Sequence, residues 1–219
     1  MTTTDGAATD GTGTVDPARA GAGLPASFRL EAPGWLRREL EAIPELLPDP
    51  EDRIRLASRL AARTIAEGDG GPFGALVTEG PEHRVVSAGV NLVMDTGLSA
   101  MHAEVVALQL AHAAAGARDL GADGARRTLT TNAQPCLMCL GAVIWSGVRE
   151  LEYAVGSGEV EALTGFDEGP IPARWEAELE ARGIAVRGGI LREESLGVFG
   201  EFRRLTQSGT ATVYNARGA

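Results

Sequence analysis

The placement of the only two cysteines in 219 residues constrains this chain more than any other feature. Cys136 and Cys139 stand three positions apart, directly behind Pro135, and the triplet His102-Ala103-Glu104 precedes them in the chain. A disulfide closing so short a loop stabilises little, and a secreted disulfide scaffold carries more cysteines than this. The pair is therefore metal-binding, redox-active or inert. Taken alone, neither Cys-x-x-Cys nor His-x-Glu says much, but a redox pair gives no role to His102 or Glu104, whereas a metal centre uses all four.

The pattern of helices and strands around them supports the metal reading. Met101 to Ala115 reads as a helix that opens on the His-Ala-Glu triplet. Thr128 to Asn132 reads as a strand, and Pro135 fits the turn into a second helix, Cys136 to about Ser146. Two thiolates in one helical turn can converge on one ion, favoured by the N–H groups and positive end of the helix. Three protein ligands, His102, Cys136 and Cys139, leave one tetrahedral position for water, the open arrangement of catalytic zinc. Zinc lowers the pKa of such a water toward about 7. Glu104, two residues past His102, is placed to face that water without ligating, as a proton carrier. A purely structural zinc site needs a fourth protein ligand, and no further cysteine exists. His83, in a hairpin, and His112, late in a helix, are expected to be a surface and a helix-face residue.

Elsewhere the chain alternates helix and strand, which implies an α/β sandwich around a central sheet. Residues 1–30 are expected to form a disordered tail. A short helix should span Trp35 to Leu47, interrupted by Pro44, and a second should run from a cap at Asp49 or Asp52 to Glu67. Phe73 to Thr78 and Arg84 to Leu92 read as a hairpin. After a strand at Leu151 to Val155 come a helix near Val160, the loop Gly165-Phe166-Asp167-Glu168-Gly169-Pro170, a helix over Ala173 to Ala181, a short strand at Ile184 to Val186, and a final helix over Glu193 to Leu205. Residues 31–205 form the expected domain and residues 206–219 a C-terminal tail.

The formal net charge of -10 disfavours a polynucleotide substrate, because the averaged surface repels phosphate backbones. No apolar stretch reaches the roughly 18 residues a membrane span needs. The N-terminus lacks the cationic start and apolar block of a secretory signal, so the expected location is the cytoplasm.

Gly71-Pro72-Phe73-Gly74-Ala75, His102-Ala103-Glu104-Val105 and Pro135-Cys136-Leu137-Met138-Cys139-Leu140-Gly141-Ala142 resemble the cytidine deaminase superfamily, over approximately residues 50–205. Trp145-Ser146 and Gly165-Phe166-Asp167-Glu168 turn the resemblance toward its guanine deaminases. It implies a three-layer α/β/α sandwich with a mixed five-stranded sheet, a bound Zn2+, a homodimer, and hydrolytic deamination of a purine base, guanine to xanthine plus ammonia. Carried over by position, Asn91 would hydrogen-bond the purine, Phe73 would pack on its ring, and Asp167 and Glu168 would lie in the loop that reaches it, with Trp145 beside the site. A carboxylate at Glu168 suits guanine, which presents adjacent N–H donors. The backbone N–H of Ala103 or Cys136 would hold an exocyclic oxygen, and Tyr214 would close the site as an aromatic lid.

Two departures stand out: Gln134 replaces a glutamate common before the Pro-Cys pair, and the C-terminal segment is longer than in the short enzymes. Deaminases of cytosine, nucleosides or triazines share every zinc residue and remain alternatives; a transfer-RNA adenosine deaminase is disfavoured by the acidity.

Overall fold

The computed structural model describes residues 27–215. The expected N-terminal tail falls almost wholly outside them; residues 27–30 are irregular and mostly exposed. The order of elements is α1 (Gly34–Glu41), α2 (Pro50–Glu67), β1 (Gly74–Glu79), β2 (Arg84–Val90), α3 (Val93–Thr96), α4 (Ala103–Ala115), β3 (Arg127–Ala133), α5 (Leu137–Ser146), β4 (Glu150–Val155), α6 (Ser157–Thr164), α7 (Trp175–Glu180), β5 (Ala185–Arg187) and α8 (Arg192–Gln207).

The five strands form one sheet in the order β2-β1-β3-β4-β5. β1 is antiparallel to both β2 and β3, whereas β3-β4 and β4-β5 are parallel. Each parallel step is made by a helical crossover, α5 from β3 to β4 and the α6-α7 stretch from β4 to β5, as parallel pairing requires. Alternate residues of β1 face opposite layers. Ala75 and Val77 pack with Ala107 of α4 and Leu140 and Val143 of α5, and Leu76 packs with Leu56 and Leu60 of α2. Phe199 of α8 and Ile54 of α2 close over Ala133 and Val155 on the α2 side. The result is an α/β/α sandwich, as the resemblance implies.

α2 begins at Asp49, whose carboxylate accepts from Glu51 N at 2.8 Å, and ends at the left-handed Gly68, so the expected cap and stop both hold. α1 is shorter than the apolar spacing suggests. Glu45 O accepts from Val85 N and Leu47 N donates to His83 O, so the residues around Pro44 pair with the open edge of β2 instead of continuing the helix. The sequence pattern also misses α3, a four-residue turn too short to show a period. Among the described residues, no helix is long and apolar enough to cross a membrane.

Gly89 fixes where α4 begins. A Cβ there would lie 2.6 Å from Ala103 O and 2.5 Å from Ala107 N, so only glycine lets the first turns of α4 rest directly on β2.

One buried ion pair ties the two halves of the fold. Arg53 of α2, 1% exposed, and Glu152 of β4, fully buried, meet through Nε-Oε2 at 2.8 Å and Nη2-Oε1 at 2.7 Å. Arg53 also donates to Leu47 O and Pro48 O, and Thr130 Oγ1 donates to Glu152. Arg187 Nη1 also reaches Glu152 Oε1 at 3.2 Å, so removing Arg53 leaves the buried carboxylate with one exposed cation in place of a bidentate, enclosed partner. Arg53→Met is expected to lower unfolding stability by about 3–5 kcal/mol in urea titrations, with the Arg53→Met/Glu152→Leu pair recovering part of that loss.

Candidate metal and substrate site

The site forms where two helices start side by side. His102 is the N-cap residue of α4 and Cys136 that of α5, both extended in backbone, and Cys139 lies in the first turn of α5. Neither cap uses its side chain on its own helix, which leaves the imidazole and the thiol turned to each other. The ligand atoms of His102, Cys136 and Cys139 all lie within 4.8 Å of one another. Cys136 Sγ stands 3.5 Å from His102 Nδ1. Metal distances of 2.3 Å to sulfur and 2.0–2.1 Å to nitrogen, at a tetrahedral angle, require an N···S edge of about 3.6 Å. The side chains thus stand at a zinc spacing.

The electrostatics fit a cation as well. The Cys136 thiol is held down at about 4, chiefly because Cys139 donates to it, while Cys139, as that donor, is pushed well above the ordinary thiol range. Burial pulls His102 down, but its contacts with Cys136 and Glu104 outweigh this and raise it. Burial raises Glu104 to about 7, aided by the charge of Cys136, and burial with Cys136 and Glu104 raises Glu168 to about 8. The two carboxyls, set beside a thiolate in one dry space, keep their protons because they lack counter-charge. A dication supplies it.

A cavity of about 210 Å³ opens beside these residues, lined by Phe73, Val93, Ser99, His102, Glu104, Gln134, Phe166, Asp167, Glu168, Tyr214 and Asn215. It thus unites six of the residues expected from the sequence: Phe73, His102, Glu104, Asp167, Glu168 and Tyr214. Asn91 is wholly buried beside Tyr214 and off the lining. Its Oδ1 accepts from Gly71 N at 3.4 Å and Val93 N at 3.2 Å, and its Nδ2 has no formed hydrogen bond among the described residues. The Tyr214 phenol is raised by burial, opposed by the Asn91 amide close by. Ala103 is buried at the first position of α4, where the backbone N–H has no partner within the helix. Asp167 sits exposed at the lip, its Oδ1 accepting from Gly169 N at 2.9 Å.

Trp145 corrects the sequence reading. It is 82% exposed near the end of α5 and does not line the cavity, because the helical period sets it on the outward face with Leu137 and Met138, turned away from Cys139. His83 bonds Thr78 and His112 approaches Ala117 O; both are half-buried and outside the metal group, His83 less exposed than a surface residue.

Three further residues shape the site: Asn132, which the sequence did not single out, and Phe166 and Gln134, which it named without giving them these contacts. Asn132 Oδ1 accepts from Gly74 N and its Nδ2 donates to Pro72 O, both at 2.9 Å, which sets the turn carrying Phe73. Its only mark is an amide closing a run of strand residues. Phe166 links the aromatic cluster, edge-on to Phe73 at 5.3 Å and to Tyr214 at 5.2 Å and stacked on Phe202 at 5.4 Å. Gln134 Oε1 accepts from Ser157 N at 3.2 Å, so the amide that replaces the expected glutamate caps the start of α6.

Residues 48–155 match the cytidine and deoxycytidylate deaminase zinc-binding region. Guanine deaminase of Bacillus subtilis is 33% identical over 134 residues, which cover 61% of this chain and 81% of that protein. The structure of a guanine deaminase from Nitrosomonas europaea is 42% identical, covers 83% of this chain and 99% of its own, and superposes with a TM-score of 0.77. The chain belongs to the cytidine and deoxycytidylate deaminase family. With it come the hydrolytic, zinc-dependent deaminases, and His102, Cys136 and Cys139 are the residues placed to bind the zinc. A further crystal structure, of a mutant protein in complex with 8-azaguanine, is 43% identical, covers 82% of this chain and 98% of its own, and has the same TM-score.

Two outcomes test the centre. Cys139→Ser is expected to lower bound zinc well below one per chain by elemental analysis, with chelator-treated wild type as the reference. In metal-free protein, a carboxyl whose folded pKa of about 8 exceeds the ordinary 4.5 keeps its proton longer when folded, so its contribution to stability is lost as pH rises through that window. Wild-type urea midpoints should therefore fall relative to Glu168→Gln between about pH 4.5 and 8, and zinc should reduce the difference.

Proposed function

We propose that this family member deaminates guanine, adding water and releasing xanthine and ammonia. The observation that carries the reading is Glu168, a buried carboxyl on the lining of the cavity that holds His102 and Glu104, a lining that includes no lysine or arginine among the described residues. A carboxylate there accepts from the adjacent N–H donors of guanine, and a nucleotide's phosphate would be repelled by Glu104, Asp167 and Glu168. The named relatives support the choice: two are guanine deaminases, and a neighbouring structure holds a guanine analogue. Neighbours were also mutated at an asparagine and a glutamate separated along their chain by the same interval as Asn91 and Glu168 here.

Zinc, when bound by His102, Cys136 and Cys139, makes water acidic enough to lose a proton near neutral pH. Glu104 accepts that proton and passes protons to the ring nitrogen and then to the departing amine. Phe73 packs against the base, the Asn91 amide donates to a ring acceptor, and the first N–H of α4 or α5, at Ala103 or Cys136, steadies an exocyclic oxygen. Tyr214 covers the cavity from the same chain and excludes water, while Asp167 holds the lip of the loop. Residues 31–205 carry the chemistry as one domain and the segment after it serves as the lid. The exposed apolar face of α5, Leu137, Met138 and Trp145, suits the homodimer that the family resemblance implies, and the cytoplasm is the expected location.

Ammonia release across guanine, guanosine, adenine, cytosine, cytidine and ammeline tests the substrate; preference for any other compound over guanine rejects it. Glu104→Gln is expected to keep zinc and fold while turnover falls about 10²–10⁴-fold. Glu168→Gln is expected to raise KM for guanine about tenfold or more, measured with zinc content unchanged.

A further inference from the structure

The geometry points to Asn215 as a positioning residue that sets the loop 165–168 so that Glu168 faces the substrate, an inference resting on the reading of Glu168 above. The Asn215 side chain pairs with this loop as a neighbouring strand would. Its Nδ2 donates to Gly165 O at 2.8 Å and its Oδ1 accepts from Asp167 N at 3.1 Å. These two groups flank Phe166, whose ring anchors the loop in the aromatic cluster. An amide is the side chain that offers a donor and an acceptor together, so neither a carboxylate nor a hydrocarbon of similar size can replace both bonds.

The loop has other supports. Glu168 N donates to Glu161 Oε1 at 3.2 Å and Glu168 O accepts from Leu137 N at 3.0 Å, which joins Glu168 to α6 and to the first turn of the cysteine helix. Phe166 N donates to Thr164 Oγ1 at 3.2 Å. Asn215 adds a grip from a segment almost fifty residues further along the chain. Such a grip matters because a buried carboxyl near other acids gains by swinging out to water, and only a fixed backbone keeps it in place. Tyr214, edge-on to Phe166, lies next to Asn215, so one short segment both covers the cavity and sets its reading group.

The rival account is that Asn215 merely holds Tyr214. Kinetics of the zinc-loaded full chain separate the two, using Asn215→Ala alone and combined with Tyr214→Ala or with Glu168→Gln. Asn215→Ala is expected to raise KM for guanine about tenfold with zinc content unchanged and little loss of kcat. The increase should persist in the Tyr214→Ala background and vanish in the Glu168→Gln background. Loss of the effect with Tyr214→Ala, or full additivity with Glu168→Gln, overturns the proposal. An unchanged KM in Glu168→Gln alone would instead remove the reading of Glu168, and this role of Asn215 with it. Amide hydrogen exchange reads the clamp independently of any substrate: the Asp167 amide should lose protection in Asn215→Ala, and retained protection overturns the clamp itself.

Discussion

The structure depends on two helices beginning at one point. α4 and α5 each start from an extended residue whose side chain is a metal ligand, and their N-terminal ends bring unpaired N–H groups and positive dipole ends to the same small volume. The N–H of Cys139 in the first turn of α5 helps hold the Cys136 thiol as an anion there. The sheet serves this meeting: β3 leads into Pro135 and Cys136, and β2 carries the backbone on which α4 rests.

Burial then decides how the groups divide their work. Glu104 is enclosed and close to the metal residues, so without a metal its proton affinity sits near neutrality; Glu168 is similarly enclosed but is carried by a loop rather than a helix. Two acids of the same type therefore face one pocket from independent supports, one fixed by a helix and the other by a web of bonds to α5, α6 and Asn215. The first suits an unvarying proton transfer, and the second a reading of the substrate's edge.

Much of this was legible from residues alone, for physical reasons. Metal chemistry demands particular atoms at particular spacings, so His102, Glu104, Cys136 and Cys139 declare themselves before any fold is known. Long periodic segments such as α2 were equally plain because cap, period and left-handed stop agree. Contacts between distant segments left no such trace. α1 gave way to pairing with β2, Trp145 looked relevant by its place beside a motif yet faces outward, and Asn132 and Asn215 act through hydrogen bonds to backbone that no local pattern encodes. Tyr214 could be suggested only by likeness, since a single aromatic near the end of a chain has no period or spacing to read.

The bare α-carbon of Gly89 has a consequence for the chemistry. Its missing methyl group would touch the carbonyl of Ala103, the residue between a metal ligand and the proton carrier. The smallest possible side chain at that position would act as a wedge between β2 and the front of α4, moving imidazole and carboxyl together. The tolerance of the whole centre is thereby set by a contact between α4 and β2, where a change of one carbon atom would be felt as a change in reactivity.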